Sequence, residues 1–126
     1  MNQTLNLSIL TEELAVCRLE ADAKIPAWAT SGQFFAVNRT YDELSIVCEA
    51  GAVPAETTQE TPWRAIKVEG PLDFSLTGIL SKLSGTLADE GISLFAISTF
   101  DTDYILVKAD QLKAAKTALA KICHFV

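Results

Sequence analysis

Apolar and polar residues alternate along Leu5-Asn6-Leu7-Ser8-Ile9-Leu10. A second strand-like run, Leu14-Ala15-Val16-Cys17-Arg18-Leu19-Glu20, follows the polar break Thr11-Glu12-Glu13. Together they predict an antiparallel hairpin. The stretch from Ala21 to Gly32 holds Pro26 and Trp28 and has room for only about two helical turns. Phe34-Phe35-Ala36-Val37 and Leu44-Ser45-Ile46-Val47-Cys48, with the polar run Asn38 to Glu43 between them, predict a second hairpin. Residues 51–61, with Pro54, Glu56, Gln59, Glu60 and several threonines, predict a loop and the boundary between two halves.

The second half patterns more sharply. Arg64 to Glu69 alternates as a strand, and Gly70-Pro71 ends it. Leu76, Ile79, Leu80, Leu83 and Leu87 then recur at helical spacing and predict one buried stripe of an α-helix. Asp73 or Ser75 is placed to cap its start, and Gly91 stands where a left-handed residue ends a helix. Ser93 to Phe100 and Tyr104 to Val107 predict two strands apolar on both faces. Asp110 is expected to cap a second helix carrying Leu112, Ala115, Leu119 and Ile122, with Lys116 and Lys121 toward its C-terminal end. Cys123 to Val126 predicts a last strand.

The order β-α-β-β-α-β is that of a ferredoxin-like unit, in which right-handed crossovers put both helices on one face of an antiparallel sheet. An offset of 60 lays Phe35-Ala36-Val37 on Phe95-Ala96-Ile97 and Ile46-Val47 on Leu106-Val107. An offset of 49 lays Arg18-Leu19-Glu20 on Lys67-Val68-Glu69. The difference is an 11-residue deletion in the first half, at the place of the long helix. The expected fold class is therefore α+β: two ferredoxin-like units in tandem, residues 1–61 and 62–126, the first with reduced helices. The strand Leu5–Leu10 is expected to fill an edge place in the first unit.

Composition narrows the function. The 126 residues include 10 Lys and Arg against 16 Asp and Glu, a net charge of −6, and the basic residues are scattered. Nucleic-acid binding needs a basic footprint, so no nucleic-acid partner is expected. No apolar run approaches a membrane span and the N-terminus lacks a basic n-region, so a cytoplasmic protein without a membrane role is expected. Cys17, Cys48 and Cys123 are odd in number and far apart in sequence, which predicts buried free thiols rather than a disulfide framework or a metal site.

No catalytic constellation is present. The single histidine, His124, would point to the opposite strand face from Cys123, and neither a nucleophile elbow nor a phosphate-binding loop occurs. No catalytic residue, metal ligand or cofactor is expected, and the chain does not read as an enzyme. Two loops have ligand-binding chemistry. In Gly70-Pro71-Leu72-Asp73-Phe74-Ser75-Leu76-Thr77-Gly78, N–H groups at a helix start suit a carboxylate or phosphate; the plain alternative is a chain turn. In Ser98-Thr99-Phe100-Asp101-Thr102-Asp103, hydroxyls, an aromatic ring and two carboxylates suit a cation; the plain alternative is a polar turn satisfied by its own backbone. The unit topology should bring the two loops together, and a ligand with a carboxylate and an ammonium would meet donors from one and acceptors from the other.

The run Trp63 to Leu80 and the run Ile97 to Val107 resemble the bacterial ACT-domain proteins related to the CASTOR arginine sensors, and Ala15 to Leu19 with Ile25 to Ala29 resembles their N-terminal part. The resemblance implies tandem βαββαβ ACT units and an amino acid held where units meet. Thr99, Phe100 and Asp103 match the binding run, and residues from Gly70 through Pro71, Leu72, Asp73 and Phe74 to Thr77 match the loop. Two units where those sensors have four implies a homodimer. The function expected is a non-enzymatic amino-acid-binding regulatory or sensor module. The alternative is a ligand-independent dimerisation or protein-interaction module.

Overall fold

A computed structural model of the chain describes residues 5–70 and 78–126. Two compact units emerge, Glu12–Trp63 and a second one joining Met1–Thr11 to Arg64–Val126. Of the described residues, 5–11 group with the C-terminal unit.

The C-terminal unit is built on β1 (Leu5–Ile9), the second half of β5 (Thr58–Val68), β6 (Phe95–Ser98), β7 (Asp103–Lys108) and β8 (Cys123–Phe125). The strand order is β6-β7-β5-β1-β8. Helices α1 (Ile79–Asp89) and α2 (Leu112–Leu119) share one core with the sheet. Leu83 and Leu87 of α1 and Ala115 and Leu119 of α2 meet Leu7, Ile66, Val68, Ile105 and Val107 there, so both helices lie on one face. This is the expected α+β, ferredoxin-like arrangement with one strand added.

That strand corrects the first hairpin. β1 lies antiparallel to β5, Leu7 opposite Val68, and parallel to β8, Leu7 opposite Phe125. The sheet is therefore mixed rather than purely antiparallel. Alternation fixed which side chains of β1 face the core, and Leu7 is fully buried; it carries no information about which strand lies alongside.

Helix α1 confirms its stripe from Ile79 onward. Leu76 and the suggested caps Asp73 and Ser75 lie outside the described residues; Gly78, at φ +79°, occupies the N-cap. At the other end Gly91 takes φ +71°. Its N–H donates to Ala88 O at 2.9 Å and that of Ile92 to Leu87 O at 3.0 Å. The two bonds form a Schellman ending, with buried Ile92 as its hydrophobic contact. Asp110 does not cap α2: it lies in a 3-10 turn, Ala109–Gln111, and Gln111 is the N-cap without a side-chain bond. β6 is not buried on both faces; it is the outer strand, with Ala96 exposed and Phe95 and Ile97 half-buried. β7 is the doubly buried strand, through Ile105, Leu106 and Val107.

The N-terminal unit pairs β2 (Leu14–Leu19) with β4 (Leu44–Glu49), and β4 with β3 (Ala36–Arg39), both antiparallel. The first half of β5 pairs with β2 on its other side. Thr58 to Pro62 thus belongs to a strand where a loop was expected; its exposed Thr, Glu and Pro residues gave no strand signal. Among the described residues this unit holds no α-helix. A 3-10 turn, Ala27–Thr30, stands at the crossover, and its Ala29 packs with Ala15, Cys17, Leu44, Ile46 and Cys48.

Candidate functional site

The β6–β7 turn carries five of the sequence-predicted residues. Ser98 and Asp103 face each other in register. Between them Thr99 N–H donates to Thr102 O at 2.8 Å, the Thr99 hydroxyl donates to the same carbonyl at 3.0 Å, and Thr102 N–H donates to Thr99 Oγ1 at 3.2 Å. This closed turn leaves Phe100 exposed at 80% and Asp101 exposed at the tip.

The Ser98 hydroxyl donates to Asp103 Oδ1 at 2.6 Å. Asp103 precedes Ile105 and Val107 by even steps along β7, so its carboxylate lies on the helix-bearing face. A carboxylate accepts about four hydrogen bonds, and one serine hydroxyl leaves capacity for a cationic or N–H donor.

Thr102 is the residue the sequence reading passed over. It is 5% exposed, and its hydroxyl donates to Val68 O at 2.6 Å. Val68 ends β5, and Gly70, exposed, lies two residues on. The turn is therefore tied to the point where the β5–α1 connection begins. Pro71, Leu72, Asp73, Phe74 and Thr77, the other residues assigned to that connection, lie outside the described residues. Of the predicted site, Ser98, Thr99, Phe100, Asp101 and Asp103 come together on one turn, which Thr102 ties to Val68, two residues before Gly70.

A second carboxylate stands at the same strand end. Glu69 shares the strand face of Lys67, opposite to that of Val68. The Ser8 hydroxyl donates to its Oε1 at 2.5 Å, and Lys67 Nζ is 3.6 Å from Oε2. The Ser8 hydroxyl, with a smaller contribution from Lys67, holds the Glu69 carboxyl below its ordinary value of 4.5.

Elsewhere the chemistry is quiet. Cys17, Cys48 and Cys123 are buried free thiols. Burial, and then the neighbouring Cys48, pushes the Cys17 thiol up to about 11. Cys123 faces the core while His124 is exposed. No cluster of metal-ligating side chains occurs among the described residues. No helix among them is long and apolar enough to cross a membrane. A groove at α2 is lined by Glu90, Asp110, Lys113, Thr117 and Lys121, with Lys121 Nζ 3.8 Å from Glu90 Oε1; its mixed charge favours neither an anion nor a cation.

A fold of this kind, a βαββαβ sheet with both helices on one face, is that of an ACT regulatory domain. The ACT-domain family model matches residues 59–121, half of the chain, and a second model, described as an N-terminal domain, matches residues 12–56. The chain belongs to the ACT-domain family. It is 33% identical over 97 residues to the rat protein named cytosolic arginine sensor for mTORC1 subunit 1, a match covering 67% of this chain and 28% of that one. The chain thus spans little more than a quarter of the length of the curated relatives it matches. Among solved structures it is similar to a protein of Agobacterium tumefaciens, with 36% identity, a TM-score of 0.92, and coverage of 99% of this chain and 94% of that one. The regulatory subunit of aspartate kinase from Thermus flavus shares the fold at 8% identity, with a TM-score of 0.68 over 95% of this chain and 99% of that one.

Proposed function

We propose that the protein is a non-enzymatic regulatory module of the cytoplasm that binds an amino acid in its C-terminal ACT unit and works as a homodimer, a bacterial relative of the arginine sensors. The observation that carries this reading is the bond from Thr102 to Val68 O, which sets the Ser98–Asp103 pair beside the start of the β5–α1 connection. Asp103 would receive a cationic or amino group. Backbone N–H groups of the connection from Gly70 to Gly78 would meet the carboxylate, those of Leu72, Asp73, Phe74 and Thr77 among them, with Pro71, which has no N–H, as a lining residue only. Likeness to the rat arginine sensor supports an amino-acid ligand, and a dimer would give the four units implied by the resemblance. The two ACT-like repeats would join at residues 61 and 62.

The deciding experiment is a thermal-shift screen against the twenty amino acids, followed by calorimetry on any hit and light scattering with and without it. A saturable shift with at least one amino acid supports the reading. A flat screen together with a constant dimer would replace it with a ligand-independent interaction module, for which the outer position of β6 provides an edge.

A further inference from the structure

The two units build the same turn, and one residue beside it differs in kind. In the N-terminal unit Thr40 N–H donates to Glu43 O at 2.9 Å, the Thr40 hydroxyl donates to that carbonyl at 3.3 Å, and Glu43 N–H donates to Thr40 Oγ1 at 3.2 Å. These are the bonds of Thr99 and Thr102 at an offset of 59 residues, which corrects by one the offset of 60 expected from the sequence, and the turns read Thr-Tyr-Asp-Glu and Thr-Phe-Asp-Thr. The offset lays Arg39 on Ser98 and Leu44 on Asp103. Both pairs stand in register across their hairpins.

Arg39 follows Val37 on the strand face that packs over the 3-10 turn, as Ser98 lies on the face that packs under α1. Its guanidinium reaches the segment after β2. Nη1 donates to Ala21 O, and Nη2 donates to Ala23 O at 2.7 Å. Because Leu19 corresponds to Val68, Ala21 corresponds to Gly70. The acid of the C-terminal unit is replaced by Leu44, fully buried, and the serine by a cation anchored on the backbone that follows the first strand of the unit. A guanidinium carries five donors in a fixed fork and is suited to bridge two carbonyls.

We propose that Arg39 is a built-in occupant of the N-terminal unit's counterpart of the ligand site: a guanidinium site filled by the chain itself, which leaves one ligand site per chain, in the C-terminal unit. The second clause rests on the amino-acid-binding reading above; the first does not.

The test uses the full chain with methylguanidinium as the probe. Arg39→Ala, and Arg39→Gln as a variant that keeps the side-chain stem, should melt lower than the parent. Methylguanidinium should restore the melting temperature saturably over roughly 1–50 mM, the range of weak fragment binding, and restore hydrogen-exchange protection at residues 21–24. Urea and tetramethylammonium should do neither, and in the parent chain methylguanidinium should leave hydrogen-exchange protection at residues 21–24 unchanged. Equal responses of variant and parent to methylguanidinium would overturn the occupant. In the second arm, Ser98→Arg builds the same occupant into the C-terminal unit and should abolish the amino-acid binding of the parent. Calorimetry should give one ligand per chain, and two would overturn the single-site assignment. A parent that binds no amino acid removes the reading of the C-terminal site but leaves the methylguanidinium arm decisive for Arg39.

Discussion

The hydroxyl of Thr102 donates to the carbonyl of Val68 at 2.6 Å, across 34 positions of chain. It pins a hairpin turn to the end of the strand from which the β5–α1 connection leaves. Thr102 is 5% exposed and Val68 fully buried. Thr102→Val keeps the shape and removes the donor, leaving a buried carbonyl without its partner, at a cost of about 1–3 kcal/mol. Urea denaturation should show that loss, and hydrogen exchange should show faster opening at residues 99–103. Thr102→Ser, which keeps the hydroxyl, should recover most of both. A Thr102→Val chain as stable as the parent would remove the pin from the account.

Asp103 tests the ligand chemistry rather than the scaffold. Asp103→Asn preserves the side-chain shape and an oxygen that accepts from Ser98, so the melting temperature should move little. A ligand whose cationic group meets the carboxylate should bind about ten- to a hundred-fold more weakly, the loss of a hydrogen bond to a charged group being worth roughly 1.5–3 kcal/mol. A carboxylate ligand that lacks any ammonium or guanidinium group should bind the variant no more weakly than the parent. Calorimetry at two salt concentrations checks both statements, since the charged contact weakens with ionic strength.

What was legible beforehand follows from the range of each interaction. The stripe Ile79, Leu80, Leu83 and Leu87 could be read because periodicity and burial have the same cause. The partner of Leu5–Ile9 could not, because alternation records a face and not a neighbour; β1 pairs with β5 and β8, far off in sequence. Thr58 to Pro62 was hidden by exposed polar residues in a strand whose burial begins at Trp63. The acid, the serine and the aromatic ring of the β6–β7 turn were visible as chemistry. Thr102 was not, because a threonine in a polar turn is expected to satisfy its own backbone. Arg39 was missed for the same reason: its carbonyl partners lie 16 and 18 residues away, and nothing local marks it.

The buried thiols give a prediction at alkaline pH. Burial raises the Cys17 thiol from the ordinary 9.0 to about 11 and shifts Cys48 and Cys123 upward as well. The folded state therefore favours the protonated thiol. Its contribution to stability is complete below 9 and is lost as pH rises through the interval toward 11. Since the thiolate is the nucleophile, iodoacetamide at pH 8 should modify the native chain at the rate of its opening and the urea-unfolded chain at once. Rapid stoichiometric alkylation of Cys17 in the folded chain would contradict the burial.

Glu69 sets the acid side. Its carboxyl is held below 4.5, first by the Ser8 hydroxyl and less by Lys67, against the opposing effect of burial. A carboxyl with a lower value in the folded state than in the unfolded one stabilises the fold above its unfolded value, and that stability is lost as pH falls through the folded value. The contribution of Glu69 is therefore complete above about 4.5 and disappears below it. Ser8→Ala removes the principal donor. In a carboxyl-resolved NMR titration Glu69 should then move back up toward 4.5, and the urea midpoint should depend less steeply on pH on the acid side. Lys67→Met should shift Glu69 less, because the ammonium 3.6 Å away is in a partly exposed pair screened by water. A larger shift from Lys67→Met than from Ser8→Ala would reverse the order of causes and make the pair, not the hydroxyl, the main hold on this carboxylate.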